Sequence, residues 1–494
     1  MQRSFLGTAL ATSLALFGCG SDGALVTEPT PVATPKNVIF FLGDGYGIVP
    51  MTAARIYAAG EDGELEIDKL PETAFVKTYS LDAQVTDSAP SMAAYMTGVK
   101  TRNEVLGMDG DTLAVAPGKD ATTGVGSAVN NCAATGNGKA STTLLELAIA
   151  KGMGTGVVST ARLTHATPAA TYAHVCHRNT EYEIARQAVP GGAGYNAALG
   201  NGVDVLMGGM SQYWRPFNAT TNKAGRPDGR DLVAELQAKG YTYASDRTGF
   251  LAAPTTAGSR LIALFDQAQS EGHMSYELDR DATKEPSLAE MTTKAIDLLA
   301  NSSKSSKGYF LMVEGGRIDH ALHSTNAARA LAEAKAFDEA IKAALDLVKK
   351  TDPTLKNTLI VVTADHDHTM VMNGYAALTG KTTPTNPGIL GLMRDYAAPT
   401  TPALDADGKP FTTLVFGNGE NRVAGSRSAM TALTDDVVSG KNYHQEAVVQ
   451  TGIGGETHGG ADVFLGATGL GADLFHGVID NTAVFTLIRQ AIGL

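Results

Sequence analysis

Positive charge is in short supply in this chain. Its 39 Lys and Arg residues face 51 Asp and Glu, a formal net charge of -12. A broad nucleic-acid-binding surface is therefore excluded. An acidic chain that handles an anionic substrate needs local cations, from arginine or from metal. Long apolar runs are equally scarce: beyond the N-terminus no segment has the length and hydrophobicity to span a bilayer. Cysteine occurs only three times, at Cys19, Cys132 and Cys176, too few for a disulfide framework to replace a core. With 494 residues, 43% of them hydrophobic, the chain instead has the means for one large α/β domain or two to three smaller ones.

The single apolar run, Phe5 to Phe17, follows Arg3. It is too short for a membrane span and has the form of a signal-peptide core. It ends in Leu16-Phe17-Gly18-Cys19, similar to a bacterial lipoprotein box, with Phe17 where a smaller residue is more usual. We expect a leader over residues 1–18 and lipidation of Cys19. An ordinary cleaved leader with an incidental cysteine is the alternative. Residues 19–36, with Pro29, Pro31 and Pro35, read as an extended tether. In an exported protein Cys132 and Cys176 either stay as two buried thiols or form a disulfide, the reading we prefer.

From Asn37 onward, short continuous apolar runs alternate with helical patterns. The runs are Asn37 to Leu42, Gly154 to Thr160, Asp204 to Gly209, Gly308 to Gly316 and Asn357 to Asp365. Such runs suit strands buried on both faces, as in parallel sheets. Helical patterns cover Thr142 to Gly152, Ser287 to Ala300 and Thr325 to Lys350. The expected fold is α/β: a three-layer sandwich with a large, mostly parallel central sheet and helices on both faces. We expect one folded domain over 37–494. A stretch rich in Gly, Pro, Thr and Asn, about 372–443, reads as an insertion.

Polar residues collect just past the C-terminal ends of these strands, where open α/β sheets bind ligands. Asp44 follows the first run, Glu314 and Asp319 follow "YFLMV", and Asp365 and His366 follow "TLIVVTA". His165 and Thr167 lie soon after "GVVST". Asp319 and His323, spaced i, i+4, share one helix face and can reach one ion, or simply form an ion pair. Asp365 and His366 can serve one site only if their strand has already ended. His458 sits in a glycine-rich loop and is informative only if other ligands converge on it. In "VTDSAPSMAAYMTGVK", Pro90 opens a helix and places Ser88 at its N-cap. Ser88 either caps the helix or uses the same exposed N–H groups to meet an anion. No histidine lies near it in sequence to act as base.

Six ordered segments, "FLGDGYG", "TDSAPSMAAYMTGVKT", "TARLTHATPAATYAHVCHR", "VEGGRIDHALH", "TADHDH" and "ETHGG", together resemble the alkaline phosphatase family. The resemblance runs from Asn37 to the C-terminus and is weakest in the insertion. It implies hydrolysis of phosphate monoesters through a phosphoserine at Ser88. It implies one zinc held by Asp319, His323 and His458, and a second by Asp44, Asp365 and His366. A third ion, usually magnesium, would be held by Asp44, Thr167 and Glu314. Arg178 would bind two phosphoryl oxygens, with His165 and His320 on the substrate side. Some members carry Asp and Lys at those two positions, which leaves the identity of the third metal open. Family members are commonly homodimers, so a homodimer is implied; the N-terminal segment adds the expectation of export, with the protein periplasmic or membrane-anchored by lipid at Cys19. "YELDRDATKEPSL" resembles a calcium-binding region of animal members, with too few ligands matching to assign calcium. A sulfatase is the nearest rival, but Met92 stands where the Ser-x-Pro-x-Arg signature has arginine. A phosphodiesterase of the same superfamily and a non-catalytic binding lipoprotein are the others.

Overall fold

The computed structural model describes residues 36–265, 272–452 and 455–494. The leader, Cys19 and nearly all of the tether lie outside the described residues. Fifteen strands occur among the described residues. In chain order they are β1 (Asn37–Gly43), β2 (Glu72–Lys77), β3 (Gly154–Arg162), β4 (Val205–Gly209), β5 (Thr242–Ala244), β6 (Leu261–Phe265), β7 (Tyr309–Gly315) and β8 (Thr358–Ala364). There follow β9 (Asp367–His368), β10 (Met370–Met372), β11 (Leu414–Gly419), β12 (Ala447–Gln450), β13 (His458–Gly459), β14 (Val463–Gly469) and β15 (Gly477–Asp480).

Ten of them form the main sheet, in the order β15-β2-β14-β8-β1-β7-β3-β4-β6-β5. Every pair is parallel except the two made by β14, with β2 and with β8. The apolar runs of the sequence become β1, β3, β4, β7 and β8, and in each all or nearly all residues are buried. Helices cover both faces. Neighbouring residues of β1 point to opposite sides, and their ring partners differ accordingly. Phe40 packs on Tyr95 of the helix Ser88–Thr97, centroids 5.6 Å apart, while Phe41 packs on Phe337 of the helix Ala327–Val348 at 6.0 Å.

The 372–443 stretch departs from the main sheet. Strand β11 lies within it and pairs with β10 and β12 in a separate three-stranded sheet. Strands β9 and β13 pair only with each other, setting His368 opposite His458.

Register does the work that matters for function. Gly43 at the end of β1 stands opposite Gly315 of β7 and Ala364 of β8. Glu314 is also in register with Ser159 of β3. Three central strands therefore end at one level, and the residues just beyond or beside those ends, Asp44, Glu314 and Asp365, are brought side by side from distant parts of the chain.

Candidate metal centre and phosphate pocket

Ser88 reaches this edge through its helix. Tyr95 donates its hydroxyl to Ala364 O (2.8 Å) and Ser91 to Asp365 O (2.7 Å), tying the helix to the end of β8. The cap itself corrects the sequence reading. Asp87, not Ser88, is the N-cap residue: its carboxylate accepts from Ala89 N at 2.7 Å, and Ser88 is the first helical residue. Ser88 is thus freed from capping, and its Oγ lies 3.3 Å from His366 Nε2.

Around Ser88 three groups of metal-ligand side chains converge: Asp319, His323, His368 and His458; Asp44, Asp365 and His366; and Asp44, His165 and Glu314. In the first, Asp319 and His323 lie on the helix Arg317–His323 with Oδ1 and Nε2 3.3 Å apart, as their spacing requires. His458 arrives on β13, rather than on a free loop, with Nε2 3.1 Å from that of His323. In the second, His366 Nε2 stands 3.4 Å from both Asp44 Oδ1 and Asp365 Oδ2. Strand β8 ends at Ala364, so Asp365 and His366 are free to face one point. In the third, Thr167 Oγ1 is 3.5 Å from Asp44 Oδ2, and Ser159 donates its hydroxyl to Glu314.

Gly45 permits this crowding. Its φ is +66°, and a Cβ there would stand 2.4 Å from the His368 ring. Its N–H donates to Asp365 Oδ1 at 3.0 Å.

Electrostatics agree with a cation site. Burial, then the Asp365 charge, raises Asp44 well above its ordinary value. Burial pushes Glu314 up to about 8 and Asp365 up to about 6. Burial, followed by neighbouring positive groups, keeps His366, His165 and His320 neutral, the form that ligates metal or accepts a proton. At this centre Asp44 Oδ1, Asp365 Oδ2, Glu314 Oε1 and His165 Nδ1 are buried without a hydrogen bond. Clustered carboxylates with orphaned oxygens fit divalent cations, which would supply the missing partner.

Arg178 lies beside the serine helix. Its Nη1 donates to Asp87 Oδ1 at 3.1 Å, and its Nη2 meets His165 Nε2 at 3.0 Å. Its loop is joined to the preceding segment by a disulfide between Cys132 and Cys176. His320 does not join a ligand group; it faces Arg317 at 3.2 Å and the His165 ring at 5.3 Å.

Two residues of this site escaped the sequence reading. His368 Nε2 lies 2.8 Å from Asp319 Oδ1, with Nδ1 2.5 Å from Glu456 Oε2. Its signal was the H-x-H spacing in "TADHDH", which puts His366 and His368 on one side of an extended segment. Asp87 is a residue type that caps helices, but the reading set the cap at Ser88, and the hold of Asp87 on Arg178 has no local sequence signal.

Comparison with known proteins agrees with this geometry. The family model described as Alkaline phosphatase matches residues 35–494. The tissue-nonspecific alkaline phosphatase isozyme of Gallus gallus is 37% identical over 91% of this chain and 83% of its own length. The alkaline phosphatase of Gadus morhua is 35% identical over 94% and 93%. Among solved structures, the Thermus thermophilus alkaline phosphatase superposes with a TM-score of 0.63 at 26% identity, over 96% of this chain and 94% of that one.

Proposed function

This chain belongs to the alkaline phosphatase family and is an enzyme of that kind, and from that premise we propose that it hydrolyses phosphate monoesters through a phosphoserine at Ser88. The observation that carries the reading is the convergence of three ligand groups, with orphaned buried atoms, around one helix-borne serine. Residues 37–494 act as the catalytic domain, with the 372–443 stretch as its insertion.

Asp319, His323 and His458 would hold one zinc, and Asp44, Asp365 and His366 a second. Asp44, Glu314 and Thr167 would hold a third ion of the magnesium class. When bound, the zinc ions supply positive charge beside the serine and leaving oxygens. The chain's own residues do the rest. Ser88 Oγ forms a bond to phosphorus as the bond to the alcohol oxygen breaks, and water then cleaves the phosphoserine to release inorganic phosphate. Arg178 offers a planar fork to two phosphoryl oxygens, held in place by Asp87 and His165. His165, which also stands in the ligand group with Asp44 and Glu314, and His320 line the substrate side. His368, bridged between Glu456 and Asp319, orients the latter.

A sulfatase reading has no support here, because Met92 is wholly buried in the core where the signature arginine would stand. Turnover of p-nitrophenyl phosphate, but neither its diester nor its sulfate, is expected. Elemental analysis beside metal depletion tests the metals: chelation should abolish turnover and readdition restore it, whereas an active metal-free enzyme would sink the mechanism.

We further infer export, lipid attachment at Cys19 and a homodimer. No described helix is long and apolar enough to cross a membrane. The insertion region exposes Tyr375, Leu378 and Tyr396, a surface suited to a second copy. Mass spectrometry of the mature N-terminus and light scattering check these.

A further inference from the structure

One buried histidine, His273, lies against the candidate centre without belonging to any of its ligand groups. It sits on a segment laid over the ends of two strands. Met274 N donates to Thr160 O of β3 at 3.1 Å. Gly209 at the end of β4 leaves room for the segment, since a Cβ there would stand 2.8 Å from His273 Cα.

Arg162 donates its backbone N–H to His273 Nδ1 at 3.0 Å, which leaves the ring proton on Nε2, so the Arg162 guanidinium, with Nη1 2.5 Å from Nε2, walls the ring rather than bonding it. That guanidinium is itself fixed by a two-pronged pairing with Glu181, 3.0 Å at each prong, and Glu181 also accepts from Thr164 Oγ1 at 2.6 Å. From its other side the ring meets two histidines of the substrate side. Its centroid is 4.0 Å from that of His320 and 5.5 Å from that of His165. His165 in turn belongs to the ligand group with Asp44 and Glu314.

We propose that His273, held by the Arg162–Glu181 pair, is a positioning residue for the third-ion pocket: it is the wall that sets His320 and, beside it, His165. The proposal rests on the three-ion reading above. A residue that orients ligands without binding the ion is worth about 10- to 100-fold in metal affinity when removed. Without the His273 ring, His320 and His165 each lose a ring contact.

The test uses the full-length enzyme loaded with zinc, titrated with Mn2+ as a paramagnetic probe of the third pocket, with free Mn2+ read by electron paramagnetic resonance. His273→Ala should bind Mn2+ about tenfold or more weakly, with the zinc content of the folded enzyme unchanged. Glu181→Gln, which leaves the ring in place but loosens its clamp, should shift Mn2+ affinity the same way by less, and it serves if His273→Ala does not fold. Wild-type Mn2+ affinity in a folded variant would overturn the proposal. So would a parallel loss of zinc, which would make His273 a general packing residue. If the wild-type zinc enzyme takes up no Mn2+ at all, the three-ion reading itself falls, and the proposal with it.

Discussion

Replacing Arg178 by lysine is the sharpest test of how the pocket holds phosphate. The guanidinium makes two anchoring contacts, Nη1 to Asp87 Oδ1 at 3.1 Å and Nη2 to His165 Nε2 at 3.0 Å. With both ends pinned, its plane is fixed before substrate arrives, and its remaining N–H groups can meet two phosphoryl oxygens. Lysine keeps the charge but has one nitrogen, so it cannot hold Asp87 and His165 and also fork onto two oxygens. The expected loss is one charge-assisted hydrogen bond, about 1.5–3 kcal/mol, or roughly 10- to 150-fold in affinity. The assay is competitive inhibition of p-nitrophenyl phosphate turnover by inorganic phosphate, with metal content matched to wild type. KM and the inhibition constant should rise together. Values within about twofold of wild type, in a fully metal-loaded Arg178→Lys enzyme, would refute the assignment of the fork.

Three further outcomes follow from the same geometry. Ser88→Ala should lose nearly all turnover yet still bind phosphate, measured by calorimetry, because Asp87 rather than Ser88 caps the helix. Breaking the Cys132–Cys176 link, which closes a separation of 44 residues, should cost about 4 kcal/mol of stability in chain-entropy terms, read from denaturant midpoints of Cys132→Ser under non-reducing conditions. His174 places Nδ1 2.6 Å from Gly107 O and Nε2 2.8 Å from Glu146 Oε1. Burial lowers its proton affinity, but the hydrogen bond and charge of Glu146 outweigh this and raise it above the ordinary 6.5. Its stabilisation is therefore full below that ordinary value and is lost as pH rises through the folded-state value. His174→Gln should flatten the alkaline fall in urea midpoint with pH, and an unchanged profile would contradict the pairing.

Much of the fold was legible because buried parallel strands read as unbroken apolar runs. The C-terminal ends of β1, β7 and β8 could be located, and with them Asp44, Glu314 and Asp365. Less visible was the antiparallel side of the sheet. In β2 the buried positions only alternate, and its neighbour β14 lies nearly four hundred residues further on, so neither announces the pairing. The i, i+4 pair Asp319 and His323 was readable from helix geometry alone. The third member of that group, His458, was not, because pairing between β9 and β13 brings it in. His273 had no local pattern at all: a lone histidine after a glycine gains meaning only when Arg162 and His320 close around it.

The central claim is that Ser88 carries the phosphoryl group in turnover. The most direct measurement is peptide mass spectrometry of the metal-loaded enzyme, acid-quenched after incubation with excess inorganic phosphate. The account predicts one phosphoryl mass added on the peptide containing Ser88, absent from Ser88→Ala and from chelated enzyme. A fully active enzyme with that peptide unmodified under every quench condition, or with the phosphoryl group on another residue, would contradict it.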